Sequence, residues 1–288
     1  MLRYMCMILN NVYKDTPMTN KEMARDTLEI LTRKYYTNKE NERISIEEEL
    51  KTSKEKTRFY TTTELSLLAE ENISETLYNT QIEVRNCSSL DAILQLSKEE
   101  NQELIMCLNF ASAKNPGGGF INGAEAQEES LARVSGLYES QLEAEDFYKI
   151  HRGMKSCFYT DNMIYSPGVP VFRNQKGELL SRPVLCNFIT SAAVNAGVVK
   201  QREPDKVTQI NEAMKERIDK MLALALEKKN ETLILGAWGC GVFRNTPQDI
   251  AQLFSLHLKG KYKNKFKRIV FAVLTKNEVT LQLFEDII

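Results

Sequence analysis

The stretch TLILGAWGCGVFRNTPQDIAQLF, residues 232–254, decides the fold class. It opens on a short apolar run that reads as a buried strand. Thr246 is a good N-cap residue, Pro247 suits the first helical position, and Asp249 stands where a box-like cap needs an acid. Gly236 to Asn245 therefore link a buried strand to a capped helix.

The same alternation extends in both directions. Strand-like runs occupy 81–86, 103–110, 184–190, 232–236 and 268–275. Helix-like runs occupy 90–98, 127–145, 209–228, 247–259 and 277–287. Helices between apolar strands predict an α/β sheet covered on both faces. In 209–228, Ile210, Met214, Ile218, Met221, Leu222 and Ala225 form one apolar stripe, as a sheet-covering helix requires.

Residues 1–80 differ from the rest: they hold no Gly, and their one Pro is Pro17. Within 20–36, Met23, Leu28, Ile30, Leu31 and Tyr35 lie roughly on one helical face, with Thr19 or Asn20 as cap. Residues 45–53 and 62–75 add further helix. The expected organisation is an N-terminal helical extension, 1–80, before an α/β domain, 81–288.

Composition excludes several classes. The 38 Lys and Arg against 39 Asp and Glu leave a net charge of −1, which gives no field for duplex nucleic acid or anionic lipid. An anionic ligand must then be held by backbone amides or dipoles. The six cysteines include no C-x-x-C pair, and the histidines are only His151 and His257, so no zinc pattern exists and no metal or cofactor is expected. Cys107 and Cys186 sit in apolar runs as small hydrophobes. The opening MLRYMCMILNN is too short and irregular for a signal peptide, and no run reaches membrane-spanning length. A reducing, cytoplasmic monomer is expected.

The glycines are unevenly placed. Of 13 in the chain, seven fall in two segments: Gly117, Gly118, Gly119 and Gly123, then Gly236, Gly239 and Gly241. Glycine between a strand end and a helix start lets amides approach phosphate oxygens. Two such loops could grip a diphosphate from two sides; they could also be plain turns. Neither is a dinucleotide fingerprint or a P-loop. Cys240 sits too close to Arg244, with three residues between, for the phosphate-cradling loop of a cysteine phosphatase. It reads better as part of a crowded turn.

Gln127, Glu128 and Glu129 stand just past the first glycine segment, where a helix begins. Successive helical residues point about 100° apart, so the two glutamates cannot do one job on one ligand. They also cannot flank a sugar at the ~5 Å or more that paired glycosidase carboxylates need. A glycosidase built here would use one acid/base carboxylate. A ligand diphosphate would stabilise the ribosyl cation and favour a proton on a nearby acid. The alternative is two solvated charges at a helix N-terminus.

Together these segments resemble the bacterial-type poly(ADP-ribose) glycohydrolases, whose motif is a triple glycine, several residues, then Gln-Glu-Glu. Here Gly117-Gly118-Gly119 is followed by seven residues and Gln127-Glu128-Glu129. NFASAKNPGGGF, AQEESLARVSGLY, YSPGVPVF, ITSAA and LGAWGCGVFRN are similar to the family as well. The resemblance implies a macrodomain-like mixed sheet between helices, with ADP-ribose in a cleft at the strand ends. It implies that Glu129 protonates the leaving 2′-oxygen and then helps deprotonate water, that Glu128 orients the ribose, and that Gln127 supports the local geometry. It gives diphosphate binding to Gly117, Gly118 and Gly119 and to the loop Gly236, Ala237, Trp238, Gly239, Cys240, Gly241, Val242 and Phe243. Phe243 would also pack on the ribose, and Asn115 would touch the same sugar. The substrate would be poly(ADP-ribose) or O-linked ADP-ribosyl protein, and the product ADP-ribose. A module that only binds ADP-ribose needs the phosphate loops but not the glutamates; hydrolysis of an ADP-ribose ester or 1″-phosphate is a third reading. One departure is visible: Val194 stands where the family's Ser-Ala-Ala-Pro-Asn has proline, which frees a backbone N–H.

Overall fold

The structure, a computed structural model, describes residues 18–71, 77–99 and 105–288. Cys6, Pro17, the opening segment, the last turn of the helix expected at 62–75, and residues 103–104 lie outside the described residues.

Seven strands form the main sheet: β3 (Arg58–Tyr60), β4 (Gln81–Arg85), β5 (Ile105–Phe110), β6 (Met163–Arg173), β7 (Leu179–Ser191), β8 (Thr232–Leu235) and β9 (Arg268–Ala272). Their order is β3-β6-β7-β5-β8-β9-β4. From β7 through β5, β8 and β9 to β4 every pairing is parallel, while β6 runs antiparallel to both β7 and β3. The sheet is mixed, as expected. Two further strands, β1 (Tyr35–Thr37) and β2 (Arg43–Ser45), make a separate hairpin.

Side chains alternate across the sheet with period two. Met106, Leu108, Leu233, Leu235, Ile269 and Phe271 pack on one face, under helices Ile210–Glu227 and Pro247–Lys259. Ile105, Cys107, Cys186, Phe188, Ile234 and Val270 pack on the other, under helix Ser89–Glu99 and the segment after Gln127. All six residues of the stripe expected along 209–228 are buried. The same alternation puts Asn109, two residues past Cys107, on the second face.

The N-terminal segment is less helical than expected. Helix Asn20–Arg33 begins at Thr19, which forms a capping box with Glu22, but it ends before Tyr35, which lies in β1. Residues 58–60 enter the main sheet through β6, and Tyr60 and Leu65 lie in its core. A boundary at 80/81 therefore cuts across the sheet. Three-residue strands carry too little periodicity to be read locally.

The long helix expected at 127–145 is three pieces: Gln127–Ala132, Leu137–Leu142 and Glu145–Gly153. Between the first two, Ser135 bridges Val171 of β6, and Gly136 N–H donates to Pro170 O at 2.9 Å. Pairing to a neighbouring strand has overridden helical continuation.

The first helix braces residues 120–133. Ala24 packs with Phe120 and Ala132. The buried Thr27 hydroxyl donates to Arg133 O, and the Arg133 guanidinium in turn donates to Ala124 O. A Thr27→Val variant keeps the shape but orphans a buried carbonyl. We expect it to lower the free energy of unfolding by about 1–3 kcal/mol, read from urea denaturation. Unchanged stability would show that this bond does not seat the helix.

Candidate active site

β5 ends at the floor of a cleft of about 530 Å³. Its lining joins Ser112, Asn115, Gly118, Gly119, Gln127, Glu128 and Glu129 on one side to Ala237, Trp238, Gly239, Gly241, Val242 and Phe243 on the other. The two glycine segments and the carboxylates, far apart in sequence, meet here. Phe110, Ala111, Glu125, Ala126 and Ala193 complete the lining, which contains three glutamates and no Lys, Arg or His.

Gln127 fastens the helix start to β5. Its Oε1 accepts from Phe110 N–H at 2.8 Å, and its Nε2 donates to Leu108 O at 2.8 Å and Ser89 Oγ at 3.0 Å. Glu128 follows and turns inward, 2% exposed. Its Oε1 accepts from Asn109 Nδ2 at 3.0 Å and Gln141 Nε2 at 2.8 Å, and its Oε2 accepts from Ser112 N–H at 2.7 Å. Burial pushes the Glu128 carboxyl up to about 8; the three donors pull the other way, and the Glu129 charge adds a smaller upward push. Glu129 is half-buried and its Oε1 accepts from Gly119 N–H at 2.9 Å.

The triple glycine covers the carboxylates closely. Gly118 has φ +59°, and a Cβ there would lie 2.2 Å from Glu129 Oε1 and 3.1 Å from Glu128 Oε2. Only a residue without a side chain allows this approach. The turn's amides, however, are already used. Gly117 N–H donates to Gln141 Oε1, Gly118 N–H to Asn115 O, and Gly119 N–H to Glu129. The resemblance gave diphosphate binding to Gly117, Gly118 and Gly119; here their amides are engaged by the protein's own groups as the turn closes over the glutamates. Gly117 is not part of the cleft lining at all.

The opposite loop is different. Among the described residues, the N–H groups of Gly239, Gly241, Val242 and Phe243 have no hydrogen-bond partner. Val242 is 78% exposed. Gly236 lies behind the cleft, where a Cβ would meet Ala272 O at 2.5 Å. Its smallness serves packing against β9. The Trp238 ring is wholly buried. Cys240 faces an adjoining hollow of about 490 Å³. Burial pushes its thiol up to about 12, so it is no thiolate nucleophile. Thr246 does cap the following helix by position, with Pro247 first in the helix, but its hydroxyl makes no capping bond, against the box expected with Asp249.

Two side chains that the sequence did not single out shape the rim. Tyr159, at φ +57°, sets its ring 6.2 Å from that of Phe243. The loop carrying it is clamped by buried Arg217, which donates to Asp161 Oδ1 at 2.8 Å, Phe158 O at 3.0 Å and Ala192 O at 2.7 Å. Beside them, the N–H freed by Val194 is directed at Met214 Sδ at 3.3 Å, while Val194 O accepts from Asn245 Nδ2 at 2.8 Å. Both backbone polar groups of Val194 therefore have partners.

Among the described residues no group of three or more His, Cys, Asp or Glu side chains is placed to hold a metal ion, and no helix is long and apolar enough to cross a membrane.

Residues 24–174 match the family model described as microbial-type PARG, catalytic domain. The chain is similar to the poly(ADP-ribose) glycohydrolase of Thermomonospora curvata, with a TM-score of 0.89 at 37% identity over 93% of this chain and 99% of that one. The same enzyme bound to the inhibitor ADP-HPD gives 0.86 at 38% identity, over 93% and 98%. The Deinococcus radiodurans enzyme in complex with ADP-ribose gives 0.78 at 40% identity, over 82% and 96%. No curated protein matches the chain.

The environment of Glu128 sets a pH dependence of stability. With its carboxyl raised to about 8, the native state keeps a proton that the unfolded chain releases near ~4.3. Stability therefore falls as pH rises through that window. Glu128→Gln should lack this slope, which is at most about 1.4 kcal/mol per pH unit. Urea midpoints between pH 5 and 8 test it; parallel curves for the two proteins would acquit Glu128.

Proposed function

Because the chain belongs to the microbial-type poly(ADP-ribose) glycohydrolase family, we propose a division of labour in the cleft for the reaction that membership gives it. That reaction is hydrolysis of the ribose–ribose bonds of poly(ADP-ribose), releasing ADP-ribose. The observation that carries the division is the opposition of one half-buried carboxylate, Glu129, to a run of unpaired amides at Gly239, Gly241, Val242 and Phe243 across one cleft.

The free amides hold the diphosphate, as backbone N–H groups do where no cation is near. Gly118 and Gly119 contribute closeness instead of donors. Glu129 is the acid/base. Its Oε1 is tied to Gly119 N–H, which leaves Oε2 for the substrate. It gives its proton to the leaving 2′-oxygen as the bond from the anomeric carbon breaks. It then takes a proton from the water that attacks that carbon, which restores the starting state. Glu128 orients the ribose through the face of Oε2 not used by Ser112. Phe243, steadied by Tyr159, fixes the angle of the sugar, and Asn115 borders it. All these groups come from one chain, so a monomer suffices. The adjoining hollow shares Phe110, Gln127, Ala237 and Gly241 with the cleft and gives room for the adenosine end.

Glu129→Gln should reduce ADP-ribose release by about 10²–10⁴-fold while leaving ADP-ribose affinity nearly unchanged, measured by product chromatography and calorimetry. Near-normal turnover would remove Glu129 from the mechanism. Phe243→Ala should lower kcat more than it weakens ADP-ribose binding, because orientation is lost. Equal losses in both would mark Phe243 as a simple contact.

A further inference from the structure

Gln141 lies outside every motif considered so far. It sits on the short helix Leu137–Leu142, with no exposed surface. Its amide has two ends and both are engaged. Nε2 donates to Glu128 Oε1 at 2.8 Å, and Oε1 accepts from Gly117 N–H at 2.8 Å. At the other end of the same turn, Gly119 N–H reaches Glu129 at 2.9 Å. The links close a ring: Glu128, the Gln141 amide, the triple glycine, Glu129, and the peptide bond between the two glutamates.

We propose that Gln141 is a positioning residue for the glycohydrolase reaction, holding the triple-glycine turn and the two carboxylates in one geometry. The proposal rests on the functional reading above. Only a primary amide fits without a proton change, since one end must donate to a carboxylate and the other must accept from an N–H. Both partners are buried, so water cannot replace either bond cheaply. Loss of the bridge frees Gly117, and through the turn it frees Gly119 and the Glu129 oxygen bound to it.

The test compares Gln141→Met and Gln141→Glu with the unmodified chain. Methionine fills similar space and makes neither bond. It should lower kcat on poly(ADP-ribose) by about 10–100-fold, keep ADP-ribose affinity within about threefold, and speed hydrogen exchange at the Gly117–Gly119 amides. Glutamate keeps the acceptor for Gly117, and when protonated it also donates to Glu128. Once Glu128 has lost its proton as well, two carboxylates would stand 2.8 Å apart, a distance now spanned by an amide. The other titratable groups nearby are Glu129 and Tyr148; on the outer side of the short helix, Lys54 holds Glu139 and Glu143. None of these changes between the variants. The ratio of Gln141→Glu to unmodified turnover should therefore approach one at acid pH and fall as pH rises, whereas the Gln141→Met ratio stays flat. Normal kcat in Gln141→Met, or a flat ratio in Gln141→Glu, overturns the proposal. Should methionine prevent folding, the pH course of the glutamate variant decides alone. An unmodified chain that fails to release ADP-ribose would instead overturn the functional reading.

Discussion

Two adjacent carboxylates, each tied to one end of the same glycine turn, are the constraint on which the site depends. Glu128 reaches Gly117 through Gln141, and Glu129 takes Gly119 directly. The ring is small and buried on one side, so its members cannot move singly. Neighbouring glutamates on a helix diverge by about 100°. The divergence here becomes a separation of roles: one side chain is caged inside by three donors, the other faces the cleft with one oxygen free. A glycine at 118 is the consequence, because any side chain would occupy the space of the Glu129 carboxylate.

The sheet supplies the fixed side of this ring. Period-two alternation turns Asn109 toward the carboxylates while its neighbours Leu108 and Phe110 pack on the opposite face. Gln127 then fastens the helix start to the same strand end. On the opposite side, the first helix packs on Phe120 and Ala132 and bonds Arg133, so the turn is clamped from outside as well. The N-terminal segment is thus part of the framework that packs behind the carboxylates. Its bonds to 120–133 are as direct as those of the sheet.

What could be read from sequence was what is local. The triple glycine, Gln-Glu-Glu, the second glycine loop and the apolar stripes are each patterns contained in a short stretch of chain, and the cleft joins Gly118, Gly119 and the glutamates to Gly239, Gly241, Val242 and Phe243. The partners of the carboxylates could not be read, because Ser112, Asn109 and Gln141 acquire their roles only through topology. Gln141 in particular sits in an unremarkable LYESQL turn of helix. β6 escaped for another reason. It contains Pro167, Gly168 and Pro170, which argue against a strand, and the ladder absorbs them with a register shift between Ser166 and Val169. The triple glycine has a composition that suits phosphate, yet its amides are engaged by the protein's own groups, which no local pattern announces.

That reallocation explains the electrostatics of the cleft. A site that places a diphosphate beside acidic side chains cannot rely on nearby lysine or arginine. A cation there would pair with the carboxylates and hold them ionised, whereas the proposed mechanism has one carry a proton to the leaving oxygen. The lining accordingly holds three glutamates and no cationic residue. In the proposed division, attraction for the anion is left to unpaired backbone N–H groups on the far loop, whose partial charges are fixed in direction. The near loop has no such duty, so its amides are available to fix the carboxylates. Under the proposed reading, separating the two tasks onto two loops lets one cleft hold a phosphate and keep a protonatable acid beside it.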